Sequence, residues 1–297
     1  MATAPATPTG EPPRGDGRPR IVFLDVDGTI LEHGSHVAPS TGAAVRAARA
    51  AGHEVYLSTG RSAFDIHPRV SEIGFDGAIT NSGALVTAGD TVIADRPLSP
   101  AATARMLAVL RSHGIRFFLQ THDGVYASDD MAELMASYAQ ELRDRDATRG
   151  LRPEDSLAGL ADREFPGVGE ADLSRIAKAV FVSDHADGLE VLRAELGDDF
   201  LIVPGSIPLP GGSNGEIGER GTNKGTAIEL LLTHLGREAA DAVAIGDSWN
   251  DVEMFEVCGT SVAMGNAHDE LKHMADFVTT AVLDDGVWNA FDRLGLL

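Results

Sequence analysis

The chain has a single cysteine, Cys258, among its 297 residues, which excludes an intrachain disulfide framework and a zinc–thiolate cluster. That thiol reads as a small buried residue at a helix end. Lysine is nearly as scarce, with Lys178, Lys224 and Lys272 the only three. Basic residues number 24 against 45 acidic ones, a formal charge of −21, and they are scattered. A nucleic-acid surface needs clustered Lys and Arg, so nucleic acid is excluded as a partner and the acidity is assigned to solubility. No apolar run approaches the ~20 residues that span a bilayer, and no membrane partner is expected. The first 19 residues also lack the apolar stretch of a secretory signal. Residues 1–19 are therefore expected to form a disordered leader, and the protein to reside in the cytoplasm.

What is present is a hydrophobic fraction of 43%, that of a globular protein, in a chain long enough for two domains. Its organising stretch runs from Ile21 to Thr29. Four apolar residues without alternation, Ile21 to Leu24, suit a strand buried on both faces in the middle of a parallel sheet. Asp25 and Asp27 follow, at the carboxyl end where open α/β sheets bind ligands. Gly28 permits a tight bend and Thr29 offers a hydroxyl. Two carboxylates this close repel unless a cation or a shared proton relieves them, so the motif calls for a metal.

Farther along, Glu32 to Pro39 reads as a polar loop carrying His33 and His36, and Ser40 or Thr41 as the cap of a helix closed by Gly52. The strand Glu54 to Ser58 ends in Thr59-Gly60-Arg61. A hydroxyl, a glycine and a helix start can together donate to a phosphate, although the same arrangement is an ordinary helix cap. A helix over 66–73 and a strand over 77–80 complete that unit. Then strict alternation lapses: a hairpin at 85–94, a helix at 100–112, strands at 115–120, 124–127, 177–183 and 200–203, and helices at 131–142 and 188–196. Such an insertion predicts a separate α+β lid over 85–208. Gly211 to Gly215 reads as the hinge back to a core made of 20–84 and 209–297.

After the return, Lys224 opens a helix, placed either as a surface lysine or as a point charge for a phosphate or a carboxylate. The buried strand Ala242 to Ile245 ends in Gly246-Asp247-Ser248-Trp249-Asn250-Asp251. Acids there suit a helix's first turn, but two acids and an amide this close also match what a hard divalent cation wants. Strands at 261–264 and 277–278 and helices at 252–258 and 267–274 follow.

These four motifs, in this order, resemble the haloacid dehalogenase superfamily, whose members are mostly phosphatases that act through an aspartyl-phosphate. The long insertion between Thr59 and Lys224, Thr-Gly-Arg at 59–61 and Asn81-Ser82-Gly83-Ala84 resemble its Cof-like (type IIB) branch. The resemblance implies an α/β fold with a Rossmann-like, mostly parallel core sheet and an inserted α+β cap. It implies Mg²⁺ as cofactor, held by Asp25, Asp27, Asp247 and Asp251, with Asp25 as nucleophile and Asp27 as general acid and base. Thr59, Gly60, Lys224, Asn250 and Asn81 would bind phosphate or substrate. The implied partner is a small phosphorylated metabolite such as a sugar phosphate, and the implied activity is its hydrolysis. A phosphosugar mutase on the same core, or a non-catalytic binding protein on a retained fold, are the alternatives.

Overall fold

A computed structural model describes residues 18–32, 36–149, 164–205 and 209–297. The expected leader lies outside the described residues except for its last two positions, and His33 lies outside them as well.

The apolar run forms β1 (Ile21–Leu24), with all four residues fully buried. A ribbon of β2 (Leu31–Glu32) and β3 (His36–Val37) occupies part of the expected loop. It leads into α1 (Pro39–Ala50), which starts on a proline in its first turn and carries no side-chain cap; Ser40 instead bonds Asp285. Next come β4 (Glu54–Ser58), α2 (Pro68–Ser71), β5 (Gly77–Thr80), β6 (Leu85–Ala88) and β7 (Thr91–Asp95). The helix expected over 66–73 is reduced to α2 because Pro68 can only begin a helix and pushes His67 into extended geometry.

The intervening region holds α3 (Pro100–Ser112), β8 (Arg116–Gln120), β9 (Val125–Ala127), α4 (Asp129–Arg149), β10 (Lys178–Ser183), α5 (Gly188–Leu196), β11 (Phe200–Pro204) and β12 (Ser213–Glu219). The return comprises α6 (Lys224–Leu235), β13 (Ala242–Gly246), α7 (Val252–Val257), β14 (Thr260–Ala263), α8 (Asp269–Met274), β15 (Phe277–Val278) and α9 (Gly286–Leu294). No helix among the described residues is long and apolar enough to cross a membrane.

Two sheets organise these elements. The larger has the order β15-β14-β13-β1-β4-β5-β6-β7, parallel from β15 to β5 and antiparallel at its β6–β7 edge. The smaller is antiparallel, in the order β11-β12-β10-β8-β9. This partition differs from the boundaries at 85 and 208 at both ends. The hairpin extends the larger sheet, because Asn81 to Gly83 turn tightly enough for Leu85 to pair with Thr80. At the other end the expected hinge is largely β12, a central strand of the smaller sheet. Its Gly215 is there for packing, since a Cβ would stand 2.4 Å from the Val203 carbonyl and 2.6 Å from the Phe181 ring.

The main core lies around the larger sheet, from Phe23 and Val55 to Ile245 and Phe291. Helix α9 was not among the expected elements. Its buried Val287, Ala290, Phe291 and Leu294 are spaced as one helical face. The smaller sheet has a second core on one face, built from Phe117, Leu119, Ala179, Phe181 and Ile217.

Candidate active site

Parallel strands end on the same side of the larger sheet, so the residues after β1, β4 and β13 become neighbours there although they are far apart along the chain. Asp25 continues the ladder by donating its N–H to the Ile245 carbonyl at 3.0 Å. The chain then folds back on the Val26 carbonyl, which accepts from Ile30 at 2.9 Å and Leu31 at 2.8 Å. Gly28 is required at this bend: its φ is +86°, and a Cβ would fall 2.1 Å from Asp247 Oδ2.

Lys224 is the first residue of α6, whose start is fixed by a reciprocal cap between Asn223 and Thr226. Far from being a surface lysine, it is 1% exposed, and its Nζ donates at 2.6 Å both to Asp25 Oδ1 and to Asp251 Oδ1. The other Asp251 oxygen accepts the N–H groups of Asp247 at 2.9 Å and Ser248 at 3.0 Å. Burial works against the lysine's charge, but Asp25 and Asp251 outweigh it and hold Lys224 above the usual lysine range. Burial pushes Asp25 up to about 7, against the pull of Lys224. Burial, reinforced by Asp25 and Asp251, pushes Asp247 up to about 9.

Asp25, Asp247 and Asp251 each offer an oxygen within 4.8 Å of the others, a group that could hold a metal ion. Two of these carboxylates, Asp25 and Asp251, bond Lys224, and Asp247 Oδ1 is buried with no hydrogen-bond partner. An oxygen-only donor set with an orphaned buried carboxylate oxygen fits a hard divalent cation. The Asp27 side chain stands apart from this set. Its two oxygens take a bidentate pair from Arg61, Nε and Nη2 each at 2.7 Å, while Arg61 Nη1 donates to the Asp65 carbonyl at 3.0 Å. Burial opposes the guanidinium charge, but Asp27 overrides it and Arg61 is held above its usual value.

The cavity that contains Asp25 and Asp27 encloses about 1090 Å³, its open mouth included, and is also lined by Thr59, Gly60 and Asn250. Thr59 Oγ1 accepts the Arg61 N–H at 3.1 Å. The helix expected to follow Gly60 is only a short 3₁₀ turn, Ala63–Asp65, so this segment brings no helix dipole to the phosphate. Asn250 Oδ1 accepts from Ser248 Oγ at 2.7 Å. Asn81 is not part of this lining. Buried at φ +49°, it contacts Gln120 at 3.4 Å and His122 at 3.2 Å, bracing the larger sheet against the smaller. The sequence reading gave no role to Arg61, Lys178, Glu216 or Ser82. Lys178 carried a signal, a lone charge in an apolar strand, which is costly unless paired; Glu216 pairs with it at 2.6 Å.

Residues 22–291 match the family model of haloacid dehalogenase-like hydrolases. YkrA of Bacillus subtilis (strain 168), which carries a provisional phosphatase name, is 30% identical over 280 residues, covering 94% of this chain and 98% of its own. The 5-amino-6-(5-phospho-D-ribitylamino)uracil phosphatase YwtE of the same organism is 28% identical over 288 residues, covering 93% and 98%. Among solved structures, that of the subclass IIB sugar phosphatase BT4131 shares the fold at a TM-score of 0.73 and 22% identity, covering 94% of this chain and all of that one. The chain therefore belongs to the haloacid dehalogenase-like hydrolase family, as a phosphatase of its Cof-like branch.

Proposed function

We propose that this phosphatase is Mg²⁺-dependent and releases phosphate from a small phosphorylated metabolite through a phosphoryl-Asp25 intermediate. The observation that carries the reading is the meeting of Asp25, Asp247 and Asp251 beside Lys224, from three separate segments.

In this reading Asp25 attacks phosphorus as the bond to the leaving oxygen breaks, and Asp27 gives that oxygen a proton. Asp27 then takes a proton from the water that attacks the acyl phosphate, which frees inorganic phosphate and restores Asp25. General acid–base help of this kind is worth ~10²–10⁴ in rate. The Arg61 fork fixes where the Asp27 carboxylate stands. Lys224 orients Asp25 and offers positive charge to the transferring oxygens, and Thr59, Gly60 and Asn250 face the same cavity. Asp25, Asp247 and Asp251 would hold Mg²⁺, which when bound would screen the carboxylate nucleophile from the phosphate dianion. The smaller sheet serves as the lid that keeps bulk water from the acyl phosphate.

The test is phosphate release from p-nitrophenyl phosphate with Mg²⁺ and with EDTA. Turnover that stops with EDTA and with Asp25→Asn is expected. Full turnover in either case overturns the reading.

A further inference from the structure

Parallel pairing puts the end of β14 beside the end of β13, so the residues that follow β14 reach the rim where the acidic turns lie. Met264 extends the ladder by donating its N–H to the Gly246 carbonyl at 2.9 Å. The loop from there to α8 closes on itself through the Ala267 N–H and the Met264 carbonyl at 3.0 Å, and the His268 N–H then reaches the Asp247 carbonyl at 3.3 Å. Gly265 lets the loop lie close against the segment after β15. Its N–H donates to the Thr280 carbonyl at 3.0 Å, and a Cβ there would stand 2.7 Å from the Ala281 nitrogen. The loop is therefore held from two sides, by the turn that carries Asp247 and by residues 280–281.

Asn266 extends from this loop to a third partner. Its Nδ2 donates to the Gly28 carbonyl at 2.7 Å, across 238 positions of sequence, and its Oδ1 accepts the Val282 N–H at 3.2 Å. Val282 belongs to the main core, which anchors that end. An amide can donate and accept at once, whereas a carboxylate of the same shape can only accept.

What Asn266 grips is the turn on which half of the acidic cluster depends. Asp25 enters that turn, whereas Asp247 and Asp251 belong to the turn after β13, so the cluster straddles the two. The hydrogen bonds of the first turn close it on itself, with the Gly28 N–H donating to the Leu31 carbonyl at 2.8 Å. Like charges on the two turns push them apart. Lys224 resists this from within by joining Asp25 to Asp251, and the Asn266 bridge resists it from outside by joining Gly28 to the loop bonded to Asp247.

We infer that Asn266 is a positioning residue, pinning the Gly28 turn to the loop beside Asp247 and so fixing the span across which Asp25 and Asp247 would share Mg²⁺. The inference rests on the Mg²⁺-dependent phosphatase reading. Asn266 is itself exposed, so replacing it opens no cavity in the core.

Calorimetric titration of Mg²⁺ into the metal-free variants reads this role without turnover. Asn266→Ala should raise the Mg²⁺ Kd by about tenfold or more, as loss of a group that orients metal ligands does elsewhere. Asn266→Asp is the sharper variant: it can still accept the Val282 N–H and loses only the donor to Gly28. Its added negative charge alone would tighten the binding of a dication, so weaker binding there isolates the lost donor. With p-nitrophenyl phosphate, the Mg²⁺ concentration for half-maximal turnover should rise in both variants, and excess Mg²⁺ should restore kcat and KM. An unchanged Kd in Asn266→Ala, tighter binding in Asn266→Asp, or a loss of kcat that excess Mg²⁺ leaves in place overturns the inference while the wild type's Mg²⁺-dependent turnover keeps the phosphatase reading. Absence of Mg²⁺ binding and of Mg²⁺-dependent turnover in the wild type overturns both.

Discussion

The two sheets bury charge in opposite ways. At the rim of the larger sheet, Asp25 and Asp251 both bond Lys224 and Asp247 adds a third carboxylate, so negative charge exceeds positive within a few ångströms. On the smaller sheet, Lys178 and Glu216 cancel one for one and share Ser82. An uncompensated buried charge is expensive and is resolved by a bound ion or a proton, whereas a balanced, hydrogen-bonded pair is complete in itself. The first arrangement therefore demands a partner from outside the chain. The second holds a surface in place.

The largest expected effect tests the excess. Lys224→Met leaves Asp25 and Asp251 facing each other without a cation, which should abolish turnover and lower stability by about 3–5 kcal/mol. Chemical unfolding beside the activity assay reads both, and a variant that keeps native stability would contradict the pairing.

Next is Arg61, which neutralises Asp27 without joining the carboxylate cluster. Arg61→Met should lower kcat by ~10²–10⁴ through a misplaced Asp27, with KM little changed. Arg61→Lys should restore only part, because an ammonium cannot match the two-oxygen fork. A loss confined to KM would instead make Arg61 a substrate ligand.

A pH effect follows from the protons that Asp25 and Asp247 hold in the metal-free protein. Asp25 is pushed up to about 7 and Asp247 to about 9, so the folded metal-free protein keeps protons that the unfolded chain has already released. Stability then falls as pH rises from about 4 towards 9, the sign set by the folded state binding more protons. Mg²⁺ should flatten that slope by displacing them. Thermal unfolding across this range with and without Mg²⁺ decides it, and identical slopes would sink the idea.

The balanced pair should respond least. Lys178→Met alone strands Glu216 and is expected to cost about 1–3 kcal/mol, but adding Glu216→Gln should recover most of that. A double-variant loss equal to the sum of the singles would mean that the two side chains act independently.

The same contrast governs how much could be read from the sequence. Asp25 and Asp27, and Asp247 to Asp251, were legible because each lies within one strand end, where an apolar run stops at acids. The parallel core followed from the same runs. The smaller sheet was harder: Gly211 to Gly215 resembled a hinge, because the Phe181 ring that makes Gly215 necessary lies across the sheet. Arg61 gave no hint of Asp27, 34 positions away. Asn81 was expected at the substrate because residues 81–84 resemble a Cof-like motif, and its left-handed turn aims it at Gln120 and His122. Helix α9 is readable from the helical spacing of Val287, Ala290, Phe291 and Leu294.

Calorimetric titration of Mg²⁺ into the wild type and Asp247→Asn tests the charge imbalance most directly. One ion per chain is expected for the wild type, with protons released on binding, and no measurable binding for the variant. Equal binding by both proteins, or none by the wild type, would contradict the assignment of Asp25, Asp247 and Asp251 as a cation site.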